Sequence, residues 1–132
     1  MTRYRFVLDS SAWIEYIRGT KIGEKVKAIA EDSQNTLLTP AVVCTEVISL
    51  AARSGDDPEK AERIIRELSF QPDEKWDYFF EAGKRHFEMR KKHKEISLVD
   101  AAVKVIAEKN NATLVTKDFH LQGDGAIYLR GG

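Results

Sequence analysis

The sequence is poor in the residues that build disulfide frameworks, zinc sites and membrane spans. It has a single cysteine, Cys44, and three histidines in 132 residues. One cysteine excludes a disulfide within the chain and argues strongly against a cysteine-based zinc site. No apolar run approaches the roughly 20 residues that a membrane helix needs. The apolar segment near the N-terminus is too short for a signal peptide, so we expect a cytoplasmic protein without membrane contact.

An excess of either charge is also lacking, because 21 Lys and Arg residues stand against 21 Asp and Glu residues. Nucleic-acid binding usually shows as a basic excess, so this balance weighs against it unless the charges form separate patches. Carboxylates gathered around metal ions would use acidic charge without repelling phosphate. The length and the ordinary composition, 42% hydrophobic and 32% charged, predict one domain over residues 1–132.

Short apolar strands alternate with helices along the chain. We predict strands at residues 4–8, 36–38, 113–116 and 126–129. Helices are predicted at 12–18, 22–32, 40–55, 57–68, 74–92 and 98–107. Thr39 is expected as the N-cap of the third helix, with Pro40 at its first helical position. This alternation predicts a parallel sheet covered by helices on both faces, with ligands at the carboxyl ends of its strands.

Two acids follow predicted strands at their carboxyl ends. Asp9 comes directly after the first strand, and Asp118 lies two residues beyond the strand that ends at Thr116. Each acid taken alone is better explained by helix capping or by a turn. Together they mark the edge of the sheet where open α/β proteins bind ligands.

Two further acids lie on apolar helix segments. Glu46 is three residues after Val43 and four before Leu50, so it shares their helix face and needs a partner or a metal unless it reaches solvent. Asp100 is the only charged residue between Glu95 and Lys104. Its spacing from Ser97 matches a capping box, which leaves its second oxygen available to a cation.

The surroundings of these four acids resemble the motifs of PIN domains. The segments are Val7-Leu8-Asp9-Ser10-Ser11-Ala12, Thr45-Glu46-Val47, Ser97-Leu98-Val99-Asp100-Ala101 and Leu114-Val115-Thr116-Lys117-Asp118. They appear in the order of the family and span most of the chain. The length is similar to that of VapC-type toxins, the ribonuclease halves of toxin–antitoxin pairs. The fourth motif departs from the family pattern, because Leu121 replaces a frequent Phe and His120 replaces a frequent carboxylate.

The resemblance implies a three-layer α/β/α sandwich with a central parallel sheet of four to five strands. It also implies a Mg²⁺- or Mn²⁺-dependent endoribonuclease, since carboxylate oxygens suit these hard cations. Asp9 and Asp100 are expected to bind one or two metals directly. Glu46 and Asp118 would bind directly, bind through water or orient the nucleophile.

Two hydroxyl residues are candidates for holding the carboxylate oxygens in place: Ser11 and Thr116. Ordinary capping and strand-end hydrogen bonds are the alternative for both, and the better one for Thr116. Basic residues cluster near residues 84–94, and we expect Lys91, Lys92 and Lys94 to be available to the RNA backbone. A solvated helix face is the competing interpretation of this cluster.

Partners follow from the resemblance alone: an RNA substrate, an antitoxin protein and a second copy of the chain. The aromatic residues of the helix predicted at 74–92 are expected in the core or at a dimer surface, with base stacking the weaker alternative. They are Trp76, Tyr78, Phe79, Phe80 and Phe87.

Three other functions are rivals to the nuclease, and a feature of the sequence argues against each. A PIN-like module could bind RNA or protein without catalysis, although it would have little reason to retain all four acids. A response-regulator phosphoacceptor domain would need an acidic pair after the first strand, where Asp9 stands alone. A haloacid-dehalogenase-type phosphatase would need an Asp at the position of Ser11.

Overall fold

The computed structural model describes residues 4–117 and 126–130 of the chain. These residues form five strands, β1 (Tyr4–Leu8), β2 (Asn35–Leu38), β3 (Ser69–Phe70), β4 (Thr113–Thr116) and β5 (Ala126–Tyr128). They also form six helices, α1 (Ser10–Arg18), α2 (Lys21–Ala30), α3 (Ala41–Arg53), α4 (Pro58–Leu68), α5 (Trp76–Met89) and α6 (Leu98–Lys109).

All five strands belong to one parallel sheet with the order β3-β2-β1-β4-β5. The chain builds outward from β1 in one direction and then returns to add β4 and β5 on the other side. The order of strands therefore reverses between β1 and β4. In open α/β sheets the crevice beyond the carboxyl ends at such a reversal is the usual ligand site.

Helices cover both faces of the sheet, which confirms the predicted three-layer α/β/α sandwich. Successive residues of a strand point to opposite faces. Val7 and Leu8 of β1 are both fully buried, and so are Leu114 and Val115 of β4. Both faces of the two central strands are therefore covered, which is typical of parallel sheets. No helix in the described part of the chain is long and apolar enough to cross a membrane.

The start of α3 differs from the prediction. Pro40, rather than Thr39, is the N-cap residue, and no side chain of its own caps the helix. The buried hydroxyl of Thr39 instead accepts a hydrogen bond from Trp13 Nε1 at 3.2 Å and donates one to Ser69 Oγ at 2.8 Å. The carboxylate of Glu74 accepts the N–H of Ala41 and replaces the missing cap. The Thr39 hydroxyl is thus used in tertiary hydrogen bonds, and Glu74 caps α3 in its place.

Two other elements differ from the sequence-based assignments. The strand β3 was not among the four predicted ranges, although a fifth strand was allowed; it has two residues, too few for a recognisable pattern. Helix α5 ends at Met89 rather than near Lys92. The aromatic residues of α5 are largely outside the core, because Trp76, Phe79, Phe80 and Phe87 are all exposed. Of the two expected locations, core or dimer surface, the core is therefore wrong for these four rings, and the dimer surface stays a prediction.

Candidate active site

Asp9 lies at the reversal of the strand order, directly after β1. It is 7% exposed, and its backbone N–H donates to the carbonyl of Val115 on β4 at 3.2 Å. Asp9 is also the N-cap of α1, with Oδ1 accepting the N–H of Ala12 at 3.0 Å. The capping role and the position at the edge of the sheet thus coexist in one residue.

Hydroxyl groups hold both carboxylate oxygens of Asp9. Ser11 Oγ donates to Oδ1 at 2.6 Å, and Thr116 Oγ1 donates to Oδ2. Together with the N–H of Ala12, three donors occupy three of the roughly four acceptor positions of a carboxylate. About one lone pair remains for a cation. Ser11 Oγ also accepts the N–H of Lys117 at 2.9 Å, so it ties the end of β4 to Asp9.

Glu46 approaches this edge from α3. It is half-buried, and the Ser10 hydroxyl donates a hydrogen bond to its carboxylate. Ser10 is the first residue of α1 and follows Asp9 directly. The apolar neighbours of Glu46 on its helix, Val43 and Val47, are fully buried in the core. The packing of this helix face against the core carries the acid to the same edge as Asp9.

Asp100 enters from the first turn of α6, where it forms the predicted capping box. Its N–H donates to Ser97 Oγ at 3.0 Å, and its Oδ2 accepts the N–H of Ser97 at 3.1 Å. Among the described residues, none donates a hydrogen bond to Oδ1 of Asp100. The cap therefore uses one oxygen and leaves the other available.

The three acids interact electrostatically. Burial raises the pKa of Asp9, hydrogen bonds from Ser11, Thr116 and the Ala12 N–H lower it, and the charge of Asp100 raises it further; the net pKa lies above 3.8. Burial also raises the pKa of Glu46 above 4.5, with the Ser10 hydrogen bond opposing and the charges of Asp100 and Asp9 adding to the rise.

A cation at this edge would relieve the cost of ionising these carboxylates. Their donor atoms are oxygens, the chemistry that Mg²⁺ and Mn²⁺ prefer. Within residues 4–117 and 126–130, no three His, Cys, Asp or Glu side chains are close enough to form a ready-made metal cage. The interacting carboxylates thus fit a divalent cation by chemistry without enclosing it by themselves. Asp118, the fourth predicted acid, lies outside the described residues, as do His120 and Leu121.

The predicted RNA-contacting lysines lie in and after the turn that follows α5. Lys91 pairs with Glu88 at 3.1 Å and lies 4.9 Å from the centre of the Phe87 ring. Lys92 and Lys94 are exposed and form no ion pair with any residue that the structure describes. The segment leads directly to Ser97 and Asp100, so these cations are near the acidic edge along the chain.

Three residues that support this edge were not predicted from the sequence: Ser10, Glu15 and Lys117. Ser10 contacts Glu46, and Lys117 Nζ pairs with Glu15 Oε1 at 2.7 Å. This ion pair, with a hydrogen bond from Thr20, lowers the pKa of Glu15. The sequence carried only a weak signal for them, because a Ser beside an N-cap and a Lys after a strand are common surface features.

Fold and site together define a class: an open parallel α/β protein with carboxylates gathered where the strand order reverses. The order seen here runs 3-2-1-4-5, unlike the 2-1-3-4-5 order of response-regulator domains. The phosphoacceptor alternative is therefore inconsistent with the topology.

Within this class, residues 6–122 match the family of the PIN domain. The match covers most of the 132 residues, and the chain belongs to the PIN domain family. This membership confirms the resemblance that the four acidic motifs indicated. No curated protein sequence matches the chain.

Solved structures of similar fold include VapC toxins and their complexes. One is VapC20 of Mycobacterium tuberculosis, described as a Sarcin-Ricin loop cleaving toxin, with a TM-score of 0.67, 20% identity and coverage of 90% of this chain and 91% of that one. Another is VapBC2 of Rickettsia felis bound to promoter DNA, with a TM-score of 0.67, 19% identity and coverage of 86% and 88%. A toxin–antitoxin complex of Klebsiella pneumoniae has a TM-score of 0.66, 18% identity and coverage of 94% and 97%. At these identities the likeness establishes the fold.

Proposed function

We propose that the chain is a metal-dependent endoribonuclease and the toxin of a toxin–antitoxin pair. The observation that carries the proposal is the electrostatic contact of Asp9, Glu46 and Asp100 at the strand reversal of a PIN fold. Proteins of this fold include a toxin that cleaves the Sarcin-Ricin loop, which supports RNA as the substrate class.

Each acid of the site has a proposed part. Asp9 and Asp100 would be direct ligands of Mg²⁺ or Mn²⁺, each through an oxygen position that protein donors leave available. Glu46 and Asp118 would bind the cation directly, bind it through water or orient the attacking water. A bound divalent cation lowers the pKa of its water and stabilises charge on the phosphodiester. Ser11 and Thr116 hold the Asp9 carboxylate in one orientation, as supporting groups do in metal sites.

The RNA backbone needs cationic partners, because the acidic groups at the centre of the site repel its phosphates. Lys92 and Lys94 are exposed and have no ion-pair partner among the described residues, so they are available for phosphate. Lys91 would have to leave Glu88 or share its charge with it. We therefore rank Lys92 and Lys94 above Lys91 as phosphate contacts.

The proposed protein partners are an antitoxin and a second copy of the chain, and the proposed location is the cytoplasm. VapBC complexes of similar fold support the antitoxin. A small neighbouring gene for a DNA-binding protein would add to this support at little cost.

The deciding experiment incubates the purified, antitoxin-free protein with a mixed RNA pool in Mg²⁺, in Mn²⁺ and in excess EDTA. The Asp9→Asn, Asp100→Asn double variant is assayed beside it. Asp57→Asn is the matched control, because Asp57 is an exposed helix cap in which Asn serves equally well. We expect metal-dependent cleavage by the wild type and the control, and at least about a hundredfold loss in the double variant.

A non-catalytic PIN module that binds RNA or protein is the alternative. Folded protein that cleaves no RNA with either metal would favour it over the nuclease. Cleavage that persists in EDTA or in the double variant would contradict the carboxylate mechanism and point to another activity in the preparation.

A further inference from the structure

Lys117 follows β4 directly and is held by side chains of α1. In the described part of the sheet, the pairing of β4 with β1 ends at Val115 and its pairing with β5 ends at Thr116. The backbone N–H of Lys117 donates to Ser11 Oγ at 2.9 Å. Residues beyond the last pair of a sheet fray easily unless other contacts hold them. A side chain of α1 thus takes the place of a neighbouring strand.

The side chain of Lys117 contacts α1 as well. Its Nζ donates to Oε1 of Glu15 at 2.7 Å, and the hydroxyl of Thr20 donates to Oε2 of the same carboxylate. These two hydrogen bonds lower the pKa of Glu15, so the carboxylate is charged at neutral pH. Thr20 is itself fixed as the N-cap of α2, where it accepts the N–H of Gly23. Both oxygens of Glu15 are therefore held at the junction of α1 and α2.

The ion pair of Glu15 and Lys117 differs from the other ion pairs in the described residues. The side chain of Glu15 is 14% exposed, whereas every other side chain in those pairs is at least 33% exposed. Exposed ion pairs contribute little, because water screens the charges and the side chains stay mobile. A shielded carboxylate with charge-assisted hydrogen bonds instead fixes the position of its partner.

The end of β4 carries the groups that orient Asp9. Thr116 Oγ1 donates to Oδ2 of Asp9. The backbone of Lys117 donates to Ser11, and Ser11 donates to Oδ1 of Asp9. Both oxygens of the acid therefore depend on two consecutive residues at the end of one strand. A displacement of this strand end would turn the carboxylate.

We propose, on the basis of the metal site proposed above, that Glu15 and Lys117 are positioning residues whose ion pair fixes the end of β4 and thereby aims the Asp9 carboxylate at the cation. Neither side chain contacts the cation in this role. The ion pair keeps Thr116 and Ser11 within hydrogen-bonding distance of Asp9 before metal arrives. A site whose ligands are already oriented needs no rearrangement to bind.

Charge and position predict opposite results for one substitution. Lys117→Met removes a positive charge close to the acidic edge, and a purely electrostatic effect would raise the affinity for a divalent cation. Loss of positioning would lower that affinity. Lys117→Arg keeps both the charge and a donor for Glu15. The sign of the change in metal affinity therefore separates positioning from charge.

The test measures the affinity for Mn²⁺ alone, without RNA, by electron paramagnetic resonance of the free ion. We expect Lys117→Met to bind Mn²⁺ about three- to tenfold more weakly than the wild type, a smaller loss than for groups that contact a metal ligand directly. Lys117→Arg should bind like the wild type. Lys109→Met is the matched control, because Lys109 of α6 pairs with Glu81 of α5 at 3.1 Å and is similarly exposed.

A double-variant cycle shows whether the two residues act as one unit. Glu15→Gln keeps an acceptor for Thr20 but removes the charge that Lys117 pairs with. The Glu15→Gln, Lys117→Met double variant should bind Mn²⁺ no more weakly than the weaker single variant, because either change alone already releases the strand end.

Amide hydrogen exchange in EDTA tests the ion pair without a metal. The N–H of residue 117 donates to Ser11, so its exchange reports how firmly the strand end is held. In Lys117→Met this N–H should exchange at least about tenfold faster than in the wild type. The N–H of Val105, which is fully buried in α6, should stay equally protected and so show that the fold is intact.

Three results would overturn the positioning role: Mn²⁺ binding by Lys117→Met that is as tight as in the wild type or tighter, additive losses in the double variant, or an unchanged exchange rate at residue 117. Unchanged Mn²⁺ binding with weakened RNA binding would make Lys117 a phosphate contact instead. A wild type that binds no Mn²⁺ would contradict the proposed metal-dependent function, and the exchange rates would still decide whether the ion pair fixes the end of β4.

Discussion

Asp9 has two roles, since it caps α1 and belongs to the proposed metal site. Burial makes its ionised form costly, and the net effect of its surroundings is a raised pKa. Three donors hold the carboxylate but do not cancel the cost of burial. A buried acid kept at the expense of stability is a common property of functional sites.

Asp9→Asn should therefore stabilise the metal-free protein at neutral pH. A carboxyl whose folded pKa is raised contributes stability that is fully present below its unfolded value, near 3.8, and is lost as the pH rises through the folded pKa. The asparagine avoids this loss, so its advantage should be largest at neutral pH and shrink on acidification. Urea unfolding in EDTA at several pH values measures it.

The control for this prediction is Asp57→Asn, an exposed cap, which should change stability by no more than about 0.5 kcal/mol at any of these pH values. An Asp9→Asn variant that is less stable than the wild type at neutral pH would contradict the assigned direction of the pKa shift.

Ser11 connects Asp9 to the end of β4 through two hydrogen bonds. Ser11→Ala removes one of the two hydrogen bonds that Oδ1 of Asp9 accepts and loosens the orientation of the carboxylate. We expect the affinity for Mn²⁺ to fall by about 10- to 100-fold, as when groups that orient metal ligands are removed. Electron paramagnetic resonance of added Mn²⁺ reports the free ion directly. Ser49→Ala, on an exposed position of α3, should bind Mn²⁺ like the wild type.

At the scale of elements, the crossing of α1 and α2 depends on Gly23. A Cβ at this position would lie 2.1 Å from the carbonyl oxygen of Glu15 and 2.7 Å from its carbonyl carbon. These are backbone atoms, so no side-chain rotation relieves the clash. The helices can approach this closely only because residue 23 has no side chain.

Gly23→Ala should destabilise the fold by about 2 kcal/mol, because overpacking costs more than the gain in helix propensity. The midpoint of chemical denaturation measures the change. Lys21→Ala, on an exposed position of the same helix, should stay within about 0.5 kcal/mol of the wild type. A Gly23→Ala variant as stable as the control would mean that the two helices are less tightly packed than described.

Helix α5 shows why composition alone misplaces an element. Its aromatic content suggested a core helix or a dimer surface, and only one side of α5 packs on α6. The other side carries rings to solvent because the fold of one chain offers nothing to cover them. Aromatic content indicates a surface that favours contact with other groups. It does not indicate whether the same chain or another molecule provides that contact.

At the scale of the whole molecule, the sheet assembles acids that are far apart in sequence. The carboxyl ends of β1 and β4 meet at the reversal of strand order, which brings Asp9 beside Thr116. Helices α3 and α6 then add Glu46 and Asp100. The three carboxylates repel one another although they come from different elements of the fold. A bound cation would relieve this repulsion.

Divalent metal should accordingly stabilise the native protein. At about 100 times the dissociation constant, binding to the native state alone adds about 2.7 kcal/mol. Differential scanning calorimetry with Mg²⁺ or Mn²⁺, against NaCl at equal ionic strength, measures this gain. The Asp9→Asn, Asp100→Asn double variant should show none of it. A wild-type protein whose thermal midpoint does not respond to either metal would argue against a divalent site.

Much of this architecture follows from the sequence because the relevant signals are local. Apolar strands alternating with helices predict a parallel sheet, and Ser97 three residues before Asp100 predicts a capping box that the structure contains. The order of the acidic motifs predicts the PIN family, which the family match confirms. The assignment of individual site residues remains a prediction, with Asp118 outside the described residues.

The sequence by itself determined the fold class and the residues that could form an acidic site, since both depend on periodicity and spacing along the chain. Only the tertiary structure decided that Thr39 serves Trp13 and Ser69 instead of capping α3, and that Ser10 contacts Glu46. It also decided which side of α5 is left uncovered. These outcomes depend on which distant groups compete for the same donor or surface, and local sequence does not encode that competition.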